Sequence, residues 1–341
     1  MAIYHQWRHL MEPGQWQQRP AARAGTRVSR AELLLAVDGL IRDTSYAMIE
    51  IQRDNALIEV AEEQLASILA INTLVEHRYR LGAATKSDAL QARARVQAAD
   101  ATIQEIEAER RRWNSNLAYM LGQPTPPDIA PSASPVLNDA CAGGEPDWSH
   151  VPAVMQARGA RDIAEAELDH SKAERLPTIT IGAGGGTDLH DPFSGHAEYN
   201  FGINISSDLY SGGAKRARAR SARFALGAAD AAEAKTRLEV SRLLAEAERQ
   251  ISSLTDVIGT LQARQASMRE TGKLYRLQYL DMGTRTLVDL LNAEQELHQV
   301  RFEMVNTTHD IRRLQADCLY QTGVQRAVYG LSGSSVRGVT L

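Results

Sequence analysis

Apolar positions recur along most of this 341-residue chain at helical intervals. From about residue 28, Ile51, Ile58, Ala61, Leu65, Ile68, Asn72, Val75 and Tyr79 follow one another at spacings of three, four or seven. That is the stripe of one helix face, and it predicts an unusually long helix ending near Leu81. Gly82-Ala83-Ala84 interrupts the pattern, which resumes through Leu90, Val96, Ile103, Ile106, Trp113 and Leu117. A short break between two long helices implies an antiparallel hairpin over residues 28–122 with its tip at 82–84, and Gly82 supplies the left-handed turn.

Gly122 and the Pro-rich run after it end that hairpin, and residues 123–147 form a linker rich in Pro, Ser, Gly and Asp. A shorter Ala/Glu helix is expected over 148–175. The period then falls to two: Ile179 and Ile181 alternate with Thr180 and Gly182, and Tyr199, Phe201, Ile203 and Ile205 alternate with small or polar residues. This predicts a β-hairpin within 176–210, with a second strand long enough to cross a bilayer when tilted. After Gly212-Gly213 a second long hairpin spans 211–322 with its tip at 282–286. Its first helix carries the row Val240, Leu244, Ala247, Ile251, Leu254, Ile258, Leu261, Gln265 and Met268, spaced as a coiled-coil seam. Its return helix carries Leu287, Leu291, Leu297, Met304, Ile311 and Cys318. Residues 1–27 show no apolar period and are expected to be irregular, and 323–341 form a Gly/Ser-rich tail expected to be ordered only in part.

The two hairpins repeat one another. Tyr79-Arg80-Leu81-Gly82 leads to Ser87, Asp88 and Ala92, and about 200 positions later Leu280-Asp281-Met282-Gly283 leads to Val288, Asp289 and Ala293. In both copies Asp stands six places after Gly, and Ala ten places after it.

Composition supports long helices packed through small side chains: 43% of residues are apolar but only 5% aromatic. The 38 basic and 42 acidic residues are interspersed, giving net charge −4 with no block that would mark a nucleic-acid partner. Cys141 and Cys318 lie far apart without metal-like or redox-like spacing, so both are expected to be unpaired. No run of 18 apolar residues predicts a membrane helix, and the first residues lack the apolar core of a signal peptide.

Candidate chemistry is sparse. Asp88 and Asp289 either complement a helix N-terminus or, gathered by oligomerisation, line a charged constriction. Neither has a partner in the sequence suited to acid/base catalysis. The cluster Asp188-Leu189-His190-Asp191 has metal-ligand residue types but no second ligand set, and the glycines from Gly182 to Gly186 are not followed by the helix a phosphate loop needs. The run Lys215, Arg216, Arg218, Arg220 and Arg223 reads equally as a solvated helix face or as an anchor at a membrane surface.

On these residues the chain resembles the TolC family of outer-membrane efflux and type I secretion channels. The likeness lies in Leu209-Tyr210-Ser211-Gly212-Gly213 with the Arg/Ala-rich helix after it, in Gly283-Thr284-Arg285-Thr286-Leu287-Val288-Asp289-Leu290-Leu291-Asn292-Ala293, and in Arg78-Tyr79-Arg80-Leu81-Gly82 with Asp88. The resemblance implies a mainly α fold in which long antiparallel α-hairpins form a coiled-coil tunnel and a β-hairpin contributes strands to an outer-membrane barrel. It implies a homotrimer, coupled to a periplasmic adaptor and an inner-membrane transporter, that catalyses nothing and needs no cofactor or metal. By position, Asp289, Asn292, Arg285, Asp88 and Ser87 would form the periplasmic aperture, with Arg285 reaching toward Ser87 and Asp88. Tyr79, Leu81, Gly82, Leu280, Gly283 and Thr284 would form the adaptor-docking tip. Ile179, Ile181, Tyr199, Phe201, Ile203 and Ile205 would face lipid, and Gly212 and Gly213 would mark the barrel-to-helix junction.

Asn292 and Leu280 depart from the aperture pattern of the family's best-known member, and Asp208 stands where many relatives have Pro. The pattern also enters partway along the first long helix, with one strand pair where a full member has two, so an N-terminally truncated chain is expected. The alternative is a soluble, non-conducting coiled-coil protein or remnant.

Overall fold

The computed structural model describes residues 2–11, 13–130, 135–141, 144–188, 198–208 and 210–341. The fold is mainly α. Its elements in order are β1 (Ala2–Met11), α1 (Pro13–Arg80), α2 (Lys86–Leu121), a 3₁₀ turn (Pro135–Leu137), α3 (Pro152–Ala173), β2 (Thr178–Asp188), β3 (Glu198–Ser206) and α4 (Ala214–Leu277). A π-turn (Gln278–Met282), α5 (Leu287–Thr322), α6 (Gln325–Val328) and the strands β4 (Ser335–Val336) and β5 (Val339–Thr340) complete the chain.

The chain divides into two units. The first comprises Met1–Ala36, Asp147–Val240 and Gly333–Leu341. Here the expected irregular segment 1–27 is corrected. Residues 2–11 form a strand, and the helix begins at Pro13, well before residue 28. The physical reason is tertiary. Ala24 and Ala31 are fully buried, and Val28 Cγ2 lies 2.7 Å from where a Cβ on Gly159 of α3 would stand. Arg27 pairs with Asp162 at 2.5 Å and Gln156 Nε2 donates to Glu32 Oε1 at 3.2 Å, so α3 extends a helix that local propensity leaves undecided. On its other side α3 meets α4 through Arg161–Asp230 at 2.7 Å and Arg158–Glu233 at 3.5 Å.

The expected hairpin is a three-stranded antiparallel sheet among the described residues, ordered β1-β2-β3. Cα register sets Ile179 opposite Ile205, Ile181 opposite Ile203 and Ala183 opposite Phe201, while Thr180 faces Asn204 and Gly182 faces Gly202. Directly opposed residues share a face, so one side is apolar and the other is small and polar. β1 adds Met11, His9 and Trp7 at the positions opposite Ile179, Ile181 and Ala183. Its alternating histidines conceal the period. The loop 189–197, with most of the Asp188–Asp191 cluster, lies outside the described residues, as does Leu209.

The second unit comprises Val37–Pro146 and Ser241–Ser332. Its helical rows fall largely where the periodicity puts them: Ile51, Ile58, Ala61, Ile68 and Val75 of α1 are buried, as are Leu244, Ala247 and Leu261 of α4. In α2 the stripe is displaced, since Leu90 is exposed and Ala89 and Ala92 enter the core instead. The C-terminal segment is more ordered than its composition predicts. Gly323, at φ 70°, caps α5, and α6 then inserts Gln325 and Arg326 against α1. Gln325 Nε2 donates to the Asp38 carbonyl at 2.6 Å, and Arg326 Nη1 meets Asp38 Oδ2 at 3.1 Å.

The cysteines are also corrected: Cys141 and Cys318 form a disulfide across 177 positions. Leu137, just after the linker's undescribed residues 131–134, packs with Ile49, Ala316 and Leu319 and delivers Cys141 to α5. Local spacing carries no trace of a pairing made by tertiary packing.

Candidate functional site: the paired helix tips

The two tip motifs come together in the second unit around one core. Ile71 and Val75 of α1, Ala89 and Ala92 of α2, Tyr279 of the π-turn and Leu287, Leu290 and Leu291 of α5 form a single buried cluster. Each turn is built alike. Gly82 (φ 71°) and Gly283 (φ 61°) take the left-handed conformation that stops the incoming helix. At the first, Ala83 N–H donates to the Arg78 carbonyl at 2.8 Å. At the second, a π-turn replaces the last α-turn, and Thr284 N–H donates to the Gln278 carbonyl at 3.1 Å.

Both outgoing helices open with a capping box. Asp88 N–H donates to Thr85 Oγ1 at 3.1 Å and Thr85 N–H donates to Asp88 Oδ2 at 3.0 Å. Asp289 N–H donates to Thr286 Oγ1 at 3.2 Å, while Thr286 N–H and its hydroxyl donate to Asp289 Oδ2 at 3.1 and 2.9 Å. The backbone and hydroxyl donors of Thr286 hold the Asp289 carboxyl below its usual range, with Arg285 adding a smaller effect. The duplicated acids are therefore first-turn capping groups, which also fixes a carboxylate at each tip. Ser87 Oγ shares a hydrogen bond of 2.7 Å with Thr85 Oγ1.

The expected tie from Arg285 to Ser87 and Asp88 is corrected. Arg285 Nε donates to Gln278 Oε1 at 3.2 Å, and its guanidinium stacks over Tyr275, 4.4 Å from the ring centroid. The π-turn brings Gln278 within its reach. The link between the two tips is made instead by Arg78 of α1, whose guanidinium lies 5.1 Å from the centroid of buried Tyr279. Burial raises the Tyr279 phenol, an effect that Arg78 opposes and Asp88 reinforces. Asn292 is exposed and lies 3.4 Å from Arg95 of α2, which also donates to Gln295 at 2.5 Å.

Among the expected docking residues, Tyr79, Leu81, Gly82, Gly283 and Thr284 are exposed. Leu280 is half-buried against the tip core, and Met282 is the exposed apolar residue of the second turn. Tyr275, Gln278 and Tyr279 escape the sequence reading, and Arg78 enters it as part of the tip motif but without a role. The spacings Thr85-x-x-Asp88 and Thr286-x-x-Asp289 are signals that identify the caps, whereas nothing local announces the π-turn.

In the first unit Ile179, Ile181, Ile203 and Ile205 are exposed and Phe201 is 84% exposed. Tyr199 holds its place in β3 opposite Gly185. Gly212 (φ 59°) and Gly213 (φ 84°) turn the chain into α4. No described helix is long and apolar enough to cross a membrane.

Comparison with known proteins agrees with this architecture. Residues 149–317 match the family described as outer membrane efflux protein. The chain is 24% identical over 281 residues to the outer membrane efflux protein BepC of Brucella suis, covering 78% of this chain and 59% of that protein. It is 24% identical over 321 residues to the outer membrane protein TolC of Vibrio cholerae, covering 88% and 71%. It thus spans less than two thirds of the BepC length. Its fold superposes on the outer membrane protein VceC of Vibrio cholerae with a TM-score of 0.82 at 21% identity, over 94% of this chain and 79% of that one. Helix tips, sheet and family match converge: over residues 149–317 the chain belongs to the family of outer membrane efflux proteins.

Proposed function

We propose that the protein serves in the outer membrane as the exit duct of an efflux pump or type I secretion system. In this reading it is a homotrimeric, passive conduit that opens at its helix tips, catalyses no reaction, and works with a periplasmic adaptor and an inner-membrane transporter. The observation that carries the proposal is the one-sided sheet. A face of exposed Ile179, Ile181, Phe201, Ile203 and Ile205 backed by glycine, threonine and asparagine suits a barrel wall between lipid and water, and is a liability for a soluble coil. The disulfide supports export, because such bonds persist in oxidising compartments such as the periplasm.

At the tips, Asp289 and Asp88 stand at the openings of α5 and α2, and the depressed Asp289 carboxyl stays charged throughout the physiological range. A ring of them, completed by Arg285, Asn292 and Ser87, would favour cations. Leu81 and Met282 beside Gly82 and Gly283 offer the adaptor an apolar contact. The test is to reconstitute the protein in a planar bilayer and measure reversal potentials across a salt gradient. Wild type is expected to be cation-selective, and Asp289→Lys to lower or invert that preference. Release of the protein from membranes by a high-pH wash would refute the duct, and unaltered selectivity would remove Asp289 from the aperture.

A further inference from the structure

We propose that an exposed arginine face at the start of α4, made by Arg216, Arg220 and Arg223, binds anionic phospholipid headgroups of the leaflet facing the periplasm. The proposal rests on the membrane reading of the sheet.

α4 starts at Ala214, eight residues after β3 ends at Ser206, at the same end of the sheet where β2 begins with Thr178 opposite Ser206. Its first turns carry five cations, and these divide by direction. Lys215 Nζ meets Asp208 Oδ2 at 3.1 Å and Arg218 Nη1 meets Glu174 Oε2 at 3.3 Å, so both answer acids of their own unit. Arg216, Arg220 and Arg223 follow the intervals of four and three that place residues on one helix face. All three are exposed and make no ion pair among the described residues.

Cations are adverse at this end of a helix, where the backbone dipole is positive, and α4 has no acid in its first turn to offset them. Arg216 opposes that dipole in the first turn, and Arg220 and Arg223 extend the same face with no acid answering them among the described residues, so the face points to negative charge outside the chain. The surroundings show what kind. Tyr210 is 90% exposed, and Phe224 and Leu176 are also exposed, so large amphipathic and apolar side chains stand beside the arginines. That mixture suits the boundary between hydrocarbon and water. From Arg216 to Arg223 the helix rises about 10 Å, the scale of a headgroup layer. Guanidinium groups there can donate paired hydrogen bonds to phosphodiester oxygens.

The full chain would be reconstituted in phosphatidylcholine vesicles containing spin-labelled phosphatidylglycerol or spin-labelled phosphatidylcholine, and the motionally restricted lipid measured by electron spin resonance. Wild type is expected to select phosphatidylglycerol by roughly fivefold or more, since one cation near an anionic surface contributes about that factor. R216Q/R220Q/R223Q is expected to lose the preference while restricting as much phosphatidylcholine as before, and R216K/R220K/R223K to retain most of it. Equal selection of both lipids by wild type, or an unchanged preference in the glutamine variant, overturns the proposal while leaving the membrane reading intact. Restriction of neither lipid overturns both. A wild type indifferent to lipid that sediments with isolated peptidoglycan, with binding lost in the glutamine variant, overturns it in favour of an acidic glycan.

Discussion

Cys141→Ser cuts the covalent link between the linker and α5. The bond closes a loop of 177 positions, and restricting an unfolded chain by a loop of that length stabilises the fold by about 5 kcal/mol in the chain-entropy account. That is more than a thousandfold in the folding equilibrium. Without the bond, Leu137 packing on Ile49, Ala316 and Leu319, and the hydrogen bond from Gln52 Nε2 to the Ala130 carbonyl at 2.8 Å, remain to hold the segment. Burial of one leucine contributes about 2 kcal/mol, so the linker is expected to open locally before the helices unfold. Cys141 is the better position to change because it is half-buried, whereas Cys318 is 1% exposed and a hydroxyl there would also disturb the core. The assay is denaturant unfolding of purified protein followed by helical circular dichroism, alongside limited proteolysis of residues 123–147. C141S and reduced wild type are expected to share a lower midpoint and faster linker cleavage, with no further effect of reductant on C141S. The reasoning fails if both thiols of freshly isolated, denatured protein alkylate without reductant, or if C141S unfolds with wild type.

Four further substitutions probe packing, backbone conformation and buried charge. Gly159→Ala drives a Cβ to 2.7 Å from Val28 Cγ2 and is expected to cost about 1–3 kcal/mol; melting of G159A, V28A and the double variant should show the penalty relieved when Val28 is shortened. Gly82→Ala and Gly283→Ala meet nothing within 4 Å but keep φ at 71° and 61°, so each should cost about 1 kcal/mol from backbone strain alone, and a markedly larger loss in either would reveal a contact not accounted for. Asp54, buried on α1, is pushed up to about 7 by desolvation and then by Glu109 and Glu50, against Arg53 and Arg110. Its folded value exceeds its unfolded one, so the folded state binds the extra proton and stability falls as pH rises from about 4 through 7. Asp54→Asn should therefore flatten that fall and stabilise the protein at pH 8, and a variant with the wild-type pH profile would show that Asp54 does not carry the proton.

What was legible in the sequence depended on whether the signal was local and periodic. The stripes through Ile51–Val75 and Val240–Leu261 name their own helices because burial recurs every three or four residues, and the Ile179–Ile205 alternation names its strands. β1 is concealed because polar residues interrupt the apolar set, so its pairing with β2 is visible only once β2 stands beside it. The start of α1 at Pro13 and the disulfide follow from contacts 135 and 177 positions away, which no window along the chain contains. The tips are the instructive case. Duplication correctly isolates Asp88 and Asp289, yet it weighs equally for two roles, since a capping acid and an aperture acid occupy the same first turn. The structure fixes the first role through Thr85 and Thr286. It also explains why the two roles coincide: a capping box holds a carboxylate at the end of the helix, ionised and in one place. A constriction assembled from several helix ends requires the same of its acids. Separating the roles therefore takes Asp289→Glu, which keeps the charge and can re-form the box, beside Asp289→Asn, which removes the charge. If Asp289 serves only as a cap, ion selectivity should be the same in both variants. If it also lines the aperture, the Asn variant alone should lose cation preference.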